Sequence, residues 1–343
     1  MFPEYAGNIS TEVHTMNSSS PGPEASNISP DLSLIYALIV YPIIVILSVL
    51  TNCVIIFVIG RTQSLHTMSN FYIVILSICN LLMGTLCSIS TVYIVFTDSW
   101  ILPEFLCKLN AMLNCVICYI STYTLAMIAI DRYISVFYQC KKSLKMGIFN
   151  MMIILVIAIS ASSPLFIYQI VKDNKCIETM SPDGRITFSV ITLVFEFFLP
   201  CLITSLCYYR INKALIAKCS SKINSGLVSR HQEEIELKRK QCTEITLFLM
   251  VLDFALCWAP FNIFWILVDM KVMFFSRTKF LILYSIAMSS AFSNSILYTW
   301  LNSSFNRELG KWRIFKYIKR QTYTQQTSDH IKQNNSSLRD NQL

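Results

Sequence analysis

Side chains that could carry out acid–base or metal chemistry are scarce within the long apolar stretches of this chain. Only Glu196 and Asp253 place a carboxylate in the middle of such a stretch, and the two stretches are different ones. A pair of acids that shares a proton needs both groups side by side. All four histidines fall in polar stretches: His14, His66, His231 and His330. We therefore expect no metal or haem site, no cofactor and no enzyme activity.

Two further groups of residues are suited to conformational change rather than to reaction. Asp131-Arg132-Tyr133 ends the third apolar stretch, where an arginine usually just extends its side chain to the polar boundary. Here Arg132 adjoins its own counter-ion, which also allows a switch function. The sixth stretch contains Cys257-Trp258-Ala-Pro260. A proline within a helix removes a hydrogen bond and bends the helix, so Trp258 lies where it would follow or drive the bend.

The overall composition is that of a membrane protein. Of the 343 residues, 54% are hydrophobic and 14% are charged, whereas soluble domains have roughly 45–50% and about 25%. The mean hydropathy is +0.52. These values exclude a soluble enzyme, a disordered chain and a nucleic-acid-binding protein. No nucleic-acid partner is therefore expected, despite a net charge of +8.

Seven apolar stretches are long enough to cross a membrane as helices, because a bilayer core about 30 Å thick needs roughly 20 apolar residues. We predict an all-α membrane protein, a seven-transmembrane helix bundle within residues 33–302. Residues 1–32 contain no apolar run that could be a cleaved signal, so the first stretch is expected to act as an uncleaved anchor. The stretches cover about 33–60, 68–96, 104–137, 148–171, 187–218, 240–270 and 278–302.

The positions of the basic residues and of glycosylation motifs predict the orientation. With residues 1–32 outside, most of the 28 lysines and arginines face the inside, as is typical of membrane proteins. The N-terminal tail also contains Asn-x-Ser motifs at Asn8, Asn17 and Asn27, which are glycosylation acceptors in exposed segments. We therefore expect a multi-pass plasma-membrane protein with a glycosylated extracellular N-terminal tail.

After residue 302 the chain mixes apolar residues with cations at helical spacing. Residues 303–320 predict an amphipathic helix that lies in the membrane interface against lipid, with a disordered basic tail as the alternative. Residues 321–343 are expected to form a disordered cytoplasmic tail. The apolar face of the amphipathic helix would consist of Phe305, Leu309, Trp312, Phe315 and Ile318.

Seven spans with an outside N-terminus fit a receptor, a transporter or an intramembrane enzyme. Transporters often contain internal repeats, and the two halves of this chain share none. One set of residues recurs in the spans in a characteristic order: Asn52, Leu76, Asp131-Arg132-Tyr133, Pro200, Tyr208, Phe254, Cys257-Trp258-Ala-Pro260, Asn294 and Tyr298. On these residues the chain resembles the rhodopsin-like (class A) G-protein-coupled receptors over about residues 33–320.

The resemblance implies a mechanism in which a bound ligand favours an outward swing of the sixth helix. Arg132, released from Asp131, would then line a cleft where a heterotrimeric G protein docks, with arrestin as a further partner. The switch residues are expected to be Asp131, Arg132, Tyr133, Tyr208, Asn294 and Tyr298.

Several positions depart from the family pattern. Asn80 replaces the second-span aspartate, and Ser295 replaces the proline of the seventh-span motif. These changes put sodium sensitivity and the shape of the seventh helix in doubt. Lys240 replaces an acid that holds Arg132 in some relatives, so elevated basal signalling is expected.

Asp253 occupies a position where the family usually has an aliphatic residue. An ionised carboxylate there is costly unless it is paired. We hypothesise that Asp253 bonds Asn294 across the sixth and seventh helices and restrains the outward swing, the alternative being a protonated and merely tolerated acid. The expected polar network comprises Asn52, Asn80, Ser121 and Asp253.

The residues of the spans leave the ligand class open. Met288 replaces the lysine that would carry retinal in an opsin, and Asn114 replaces the aspartate that pairs with amines. Glu196 lies where histamine receptors of one branch have an acid, which keeps a small amine as an alternative ligand. The sequence is also compatible with a constitutively active receptor and, more distantly, with a small membrane transporter.

The second outer loop favours a peptide ligand. Ser181-Pro182-Asp183-Gly184 predicts a tight turn, and its flanks predict a β-hairpin tethered by Cys176. The resemblance implies that Cys176 forms a disulfide with Cys107 at the top of the third span. In peptide receptors such a hairpin leaves the pocket open, so a neuropeptide is the preferred ligand. The expected binding residues are Asn114, Cys118, Glu196, Trp258, Phe261, Asn262, Trp265, Tyr284 and Met288.

Overall fold

A computed structural model describes residues 2–3, 32–97, 99–138, 143–225 and 230–310 of the chain. Within these residues, seven helices are long and apolar enough to cross a membrane, which confirms the predicted bundle. They are α1 (Leu32–Arg61), α2 (Met68–Thr97), α3 (Glu104–Tyr138), α4 (Leu144–Ile167), α5 (Pro182–Asn224), α6 (Arg230–Asp269) and α7 (Arg277–Leu301). A short helix, α8 (Ser303–Leu309), follows, and one small sheet contains β1 (Phe2–Pro3), β2 (Gln169–Lys172) and β3 (Lys175–Glu178).

The bundle places apolar side chains both between its helices and on its outer surface. Leu256 and Phe149 are examples of large apolar residues that point outward and are exposed, as a lipid-facing surface requires. Phe254, Tyr298 and Tyr41 are fully buried between helices. Helices α6 and α7 are in extensive contact, as are α1 and α2.

The hairpin of the second outer loop is present, but its turn lies earlier than the sequence analysis predicted. Strands β2 and β3 pair antiparallel, with Val171 opposite Cys176. The two residues between the strands, Asp173 and Asn174, have φ of 50° and 54°. Asp and Asn tolerate positive φ better than most residues, and two such residues close a tight hairpin.

The segment Ser181-Pro182-Asp183-Gly184 is therefore not the hairpin turn but the start of α5. The Ser181 side chain accepts a hydrogen bond from the backbone N–H of Gly184, and Pro182 occupies the first turn. Both features favour a helix N-terminus as strongly as they favour a turn. Helix α5 thus begins several residues before the apolar stretch that predicts it.

At the opposite end of the bundle, α5 and α6 also extend further into polar sequence than their apolar stretches predict. Helix α6 begins at Arg230, ten residues before the predicted start, and packs beside the end of α5. An ion pair of 2.8 Å between Lys222 and Glu233 joins the two extensions. Hydropathy detects only the segment that lies in lipid, so it does not report such polar extensions.

Helix α8 turns away from α7 at Asn302, whose side chain accepts a hydrogen bond from the backbone N–H of Phe305. Phe305 is fully buried and packs edge-on against Tyr298 at 5.3 Å between ring centroids. The remainder of the predicted amphipathic helix, beyond residue 310, lies outside the described residues.

Candidate functional sites at the two ends of the bundle

A large cavity opens beneath the hairpin, between α2, α3, α5, α6 and α7. It contains about 1160 Å³ of empty space, part of it open to solvent. Met288 does not line it and is fully buried in the core. All the other residues predicted to bind ligand do line it: Asn114, Cys118, Glu196, Trp258, Phe261, Asn262, Trp265 and Tyr284.

Aromatic side chains from α6 and α7 form one wall of the cavity. Phe261 lies 5.1 Å from Tyr284 and 6.0 Å from Trp258, measured between ring centroids. The Tyr284 hydroxyl donates a hydrogen bond of 2.7 Å to Asn114 Oδ1, which connects α7 to α3 across the cavity. The Trp258 indole N–H donates to Ser290 Oγ at 3.1 Å. These bonds fix the orientation of the rings, so the wall is largely preformed.

The mouth of the cavity holds three charged residues that the sequence analysis missed. Arg185 Nε lies 3.4 Å from Asp269 Oδ1 and 3.9 Å from Glu178 Oε1. The geometry is that of charge attraction rather than hydrogen bonding, since Arg185 Nε and Asp269 Oδ1 are buried without a hydrogen-bond partner. Burial raises the pKa of Glu178, and the nearby Arg185 opposes that rise. Two acids thus share one base.

The sequence analysis did not point to these three charged residues, because the hairpin turn was predicted at the wrong position. In a strand, alternate residues face the same side, so the tethered Cys176 puts Glu178 on the side of the sheet that faces α3. That spacing was available in the sequence. Arg185 and Asp269 are helix-end residues, and their meeting depends on where α5 begins and α6 ends.

Glu196 lies deep in the cavity, in a wide turn of α5 that spans Leu193–Phe198. Pro200 has no N–H to donate to the carbonyl of Glu196 four residues earlier, which explains a departure from regular α-helix here. The Tyr123 hydroxyl donates to the neighbouring carbonyl of Phe195 at 3.0 Å. The thiol of Cys118 lies against the Glu196 carboxyl group.

The disulfide between Cys107 and Cys176 is present and anchors β3 to the start of α3. The three glycosylation motifs, at Asn8, Asn17 and Asn27, lie outside the described residues. Among the described residues, no group of three or more His, Cys, Asp or Glu side chains could hold a metal ion.

The predicted switch residues other than Asn294 gather at the opposite end of the bundle. Ser69 Oγ donates to Asp131 Oδ2 at 2.7 Å, and the Tyr298 hydroxyl donates to Asn70 Oδ1 at 3.0 Å. Arg132 Nε is buried without a hydrogen-bond partner. Three helices, α2, α3 and α7, are therefore joined around Arg132 by polar contacts. The remaining aromatic members pack on neighbouring rings: Tyr208 on Phe248 and Tyr133 on Phe137.

A residue of α6 other than the one at position 240 supplies an acid near Arg132. Lys240 pairs with Glu236 on its own helix at 2.6 Å. Glu244, one turn further along α6, interacts electrostatically with Arg132, and its Oε2 is buried without a hydrogen-bond partner. Glu244 thus places an acid of α6 near Arg132, and the elevated basal signalling expected from Lys240 stays a prediction.

The expected polar network is only partly connected. Asn52 Oδ1 accepts hydrogen bonds from Ser295 at 2.6 Å and from Asn80 at 3.4 Å. Ser121 instead bonds the carbonyl of Ile117 in its own helix. Both polar atoms of the Asn294 side chain are buried without a partner. Ser295, which replaces the family's proline, thus supplies one of the links between α7 and α1.

The predicted bond between Asp253 and Asn294 is wrong. Asp253 Oδ2 accepts a hydrogen bond of 2.5 Å from Ser293, the preceding residue of α7. Neighbouring residues of a helix differ by about 100° in direction, and this rotation cannot be fixed from the sequence of one helix alone. Asp253 therefore does form a hydrogen bond between α6 and α7, but with Ser293 rather than Asn294.

The comparisons with known proteins agree with this architecture. Residues 51–298 match the family model described as 7 transmembrane receptor (rhodopsin family). The neuropeptide Y receptor type 2 of Gallus gallus is 29% identical over 308 residues, covering 83% of this chain and 77% of that protein. The receptor of the same name from Sus scrofa is 30% identical over 293 residues, covering 80% of this chain and 74% of that protein. The chain is therefore a multi-pass membrane receptor rather than an enzyme, and it belongs to the rhodopsin family of seven-transmembrane receptors.

Proposed function

We propose that this receptor lies in the plasma membrane with its N-terminal tail outside, binds an extracellular peptide that carries a positive charge, and activates heterotrimeric G proteins. The orientation is supported by the excess of Lys and Arg at the Arg132 end and by the disulfide at the hairpin end, since extracellular space is oxidising. The names of the relatives support a peptide ligand.

The observation that carries the ligand class is the charge of the cavity. Its lining contains the acids Glu178, Glu196 and Asp269 against the single base Arg185. Several polar atoms near the mouth are buried without a hydrogen-bond partner, among them Asp269 Oδ1 and Trp265 Nε1. Buried polar atoms without partners are unfavourable, so a ligand that supplies both a cation and hydrogen-bonding groups stabilises this site. One end of a peptide has that chemistry and fits a cavity that is open on one side.

Signalling in this proposal depends on α6, which connects the two sites. Trp258 lines the cavity, and Pro260 follows it by two residues. A ligand that binds better when α6 has swung outward shifts the population towards that state. At the other end the swing removes Glu244 from Arg132 and opens a cleft for the G protein. Arrestin docks on the same end, and lipid surrounds the bundle.

The experiment expresses the receptor in cells that lack it and applies pools of peptides sorted by their number of Lys and Arg residues. Dissociation of each Gα class is followed with energy-transfer sensors. The active pool is then tested on Asp269→Asn, which we expect to lose roughly tenfold or more in potency, because an uncompensated buried charge is costly. The control is Glu104→Gln, the same loss of charge at an exposed acid paired with Lys108. Equal potency on the two variants, or activity only in uncharged pools, would refute the ligand class.

Glu196 supports a second candidate, a small amine. Its carboxyl group is buried at the depth that a small ligand reaches, well below the mouth. In that case Glu196→Gln lowers potency by about two orders of magnitude, as expected when one side of a buried charged pair is removed. Asp269→Asn then has little effect. The two substitutions therefore separate the two ligand classes.

A further inference from the structure

The contact between α6 and α7 is a ladder of side-chain pairs in antiparallel register. Ser293 bonds Asp253 at 2.5 Å, and one turn further along α6 the thiol of Cys257 lies 3.7 Å from Ser289 Oγ. A step of four residues forward on α6 matches a step of four residues back on α7. The adjoining Trp258–Ser290 bond has nearly the same register. Three serines of α7 thus face three polar groups of α6.

The chemistry of the paired side chains changes at Trp258, from aromatic pairs on one side to polar pairs on the other. Towards the cavity its pairs are aromatic, such as Trp265 with Phe280 at 6.0 Å between ring centroids. Towards the Arg132 end they are polar, and the last pair of the ladder includes the carboxylate of Asp253. Aromatic contacts tolerate small rotations of a helix, whereas a short hydrogen bond to a carboxylate is strongly directional. The polar half therefore determines how far α6 can move from α7.

Separation of the two helices would expose the Asp253 carboxylate without a partner. Asp253 is only half-buried, and its neighbour Leu256 is exposed on the apolar outer surface of α6. Ionisable groups in the apolar part of a membrane are costly unless paired, so loss of the Ser293 bond is penalised in the swung-out state. The Ser293 bond is present in the structure, and we assign this arrangement to the closed state.

We propose that Asp253 is a positioning residue whose bond to Ser293 holds α6 in its closed position and lowers ligand-independent signalling. The inference rests on the proposed activation of G proteins by movement of α6. It assigns the restraint to a pair of residues, one on each helix.

The first test measures basal G-protein activation at matched surface expression. Asp253→Leu and Ser293→Ala should each raise it roughly threefold to tenfold, the range expected for one hydrogen bond between membrane helices. The double variant should exceed the stronger single variant by little, because both remove the same bond. Asp253→Asn keeps an acceptor for Ser293 and should give an intermediate value. The control is Thr299→Val, which removes a hydroxyl of α7 that bonds only its own backbone, at Ser295.

The second test measures the position of α6 without a G protein. Fluorophores are attached through an encoded amino acid at the exposed positions Leu144 and Ile235, on α4 and α6, and the purified receptor is reconstituted in lipid nanodiscs. Energy transfer should change in the same direction in Asp253→Leu and Ser293→Ala, and remain at the wild-type value in Thr299→Val.

The outcomes separate the inference from the proposed function. Unchanged basal signalling and unchanged energy transfer in both single variants would overturn the restraint. A lowered thermal stability with neither change would assign the bond a purely structural role and equally overturn it. If the receptor activates no Gα class, the proposed function fails, and the energy-transfer result alone decides whether Asp253 holds α6.

Discussion

Two buried asparagines near the middle of the bundle differ sharply in their hydrogen bonding. Asn52 donates to the carbonyl of Ala291 and accepts from Ser295, so it joins α1 to α7. Asn294, one residue before Ser295, has both side-chain polar atoms buried without a partner. A buried amide without hydrogen-bond partners is stabilised by any rearrangement that supplies such partners. The bundle therefore leaves Asn294 as a group that a second arrangement of α6 and α7 can satisfy.

At the mouth of the cavity, the state of Glu178 predicts a pH dependence. Burial raises its pKa above the ordinary value of 4.5, although Arg185 opposes the rise and Asp269 adds to it. A carboxyl group with a raised pKa loses its charge at a higher pH than an exposed one. The affinity for a cationic peptide should therefore fall by a few-fold between pH 7.4 and about pH 5.5. Radioligand binding on membranes at both pH values measures this change.

The matched variant is Glu178→Gln, which is neutral at every pH. It should bind the cationic peptide more weakly than wild type at pH 7.4 and show a smaller fall on acidification. A variant that keeps the full pH dependence would assign the effect to another group and contradict this account of Glu178.

At the scale of helices and strands, the sequence predicts the membrane-spanning segments, but it does not predict where each helix ends, because helix ends depend on contacts with neighbouring elements. The length of an apolar stretch follows from the thickness of the bilayer, so all seven spans were predictable. The ends of the helices depend on caps, and Ser181-Pro182-Asp183-Gly184 suits a turn and a helix start equally well. The cavity residues within spans were therefore mostly predictable. Arg185 and Asp269 were not, because they lie near helix ends, whereas the alternation of residues along β3 from Cys176 indicates Glu178.

We expect surface expression of the receptor to depend strongly on the disulfide of the hairpin. Cys176 lies in the middle of β3, and its bond to Cys107 fixes that strand above the cavity. Closing a loop of 69 residues restricts the unfolded chain, and the loss of such a bond costs about 2–5 kcal/mol. Cys107→Ala and Cys176→Ala should each reduce surface expression severalfold, as measured by flow cytometry of a tagged receptor. Normal expression and signalling in both would contradict the role of the bond, and the free, exposed Cys53 offers the control Cys53→Ala.

On the scale of the whole molecule, α6 is one of the helices that reach both sites. It runs through 40 residues, about 60 Å of helix, from Arg230 at one end to Asp269 at the cavity mouth. Glu244 lies towards the Arg132 end and Trp258 lines the cavity, so charge and packing at both sites act on one continuous helix. A displacement of this helix therefore changes the cavity and the Arg132 end together, which is the physical requirement for coupling between two sites.

The coupling predicts opposite effects for two members of one electrostatic pair. Arg132→Ala removes the cation that lines the cleft and should abolish G-protein activation while leaving surface expression near the wild-type level. Glu244→Gln removes the negative charge that attracts Arg132 in the closed state. It should raise basal activation about fivefold, which corresponds to about 1 kcal/mol of coupling. Nucleotide exchange on purified Gα by the reconstituted receptor measures both effects.

Glu236→Gln is the matched control, because this acid makes an exposed pair with Lys240 on the same helix and its loss should leave basal exchange unchanged. Undiminished exchange with Arg132→Ala would remove Arg132 from the mechanism. Equal basal exchange with Glu244→Gln and Glu236→Gln would show that Glu244 does not restrain the closed state.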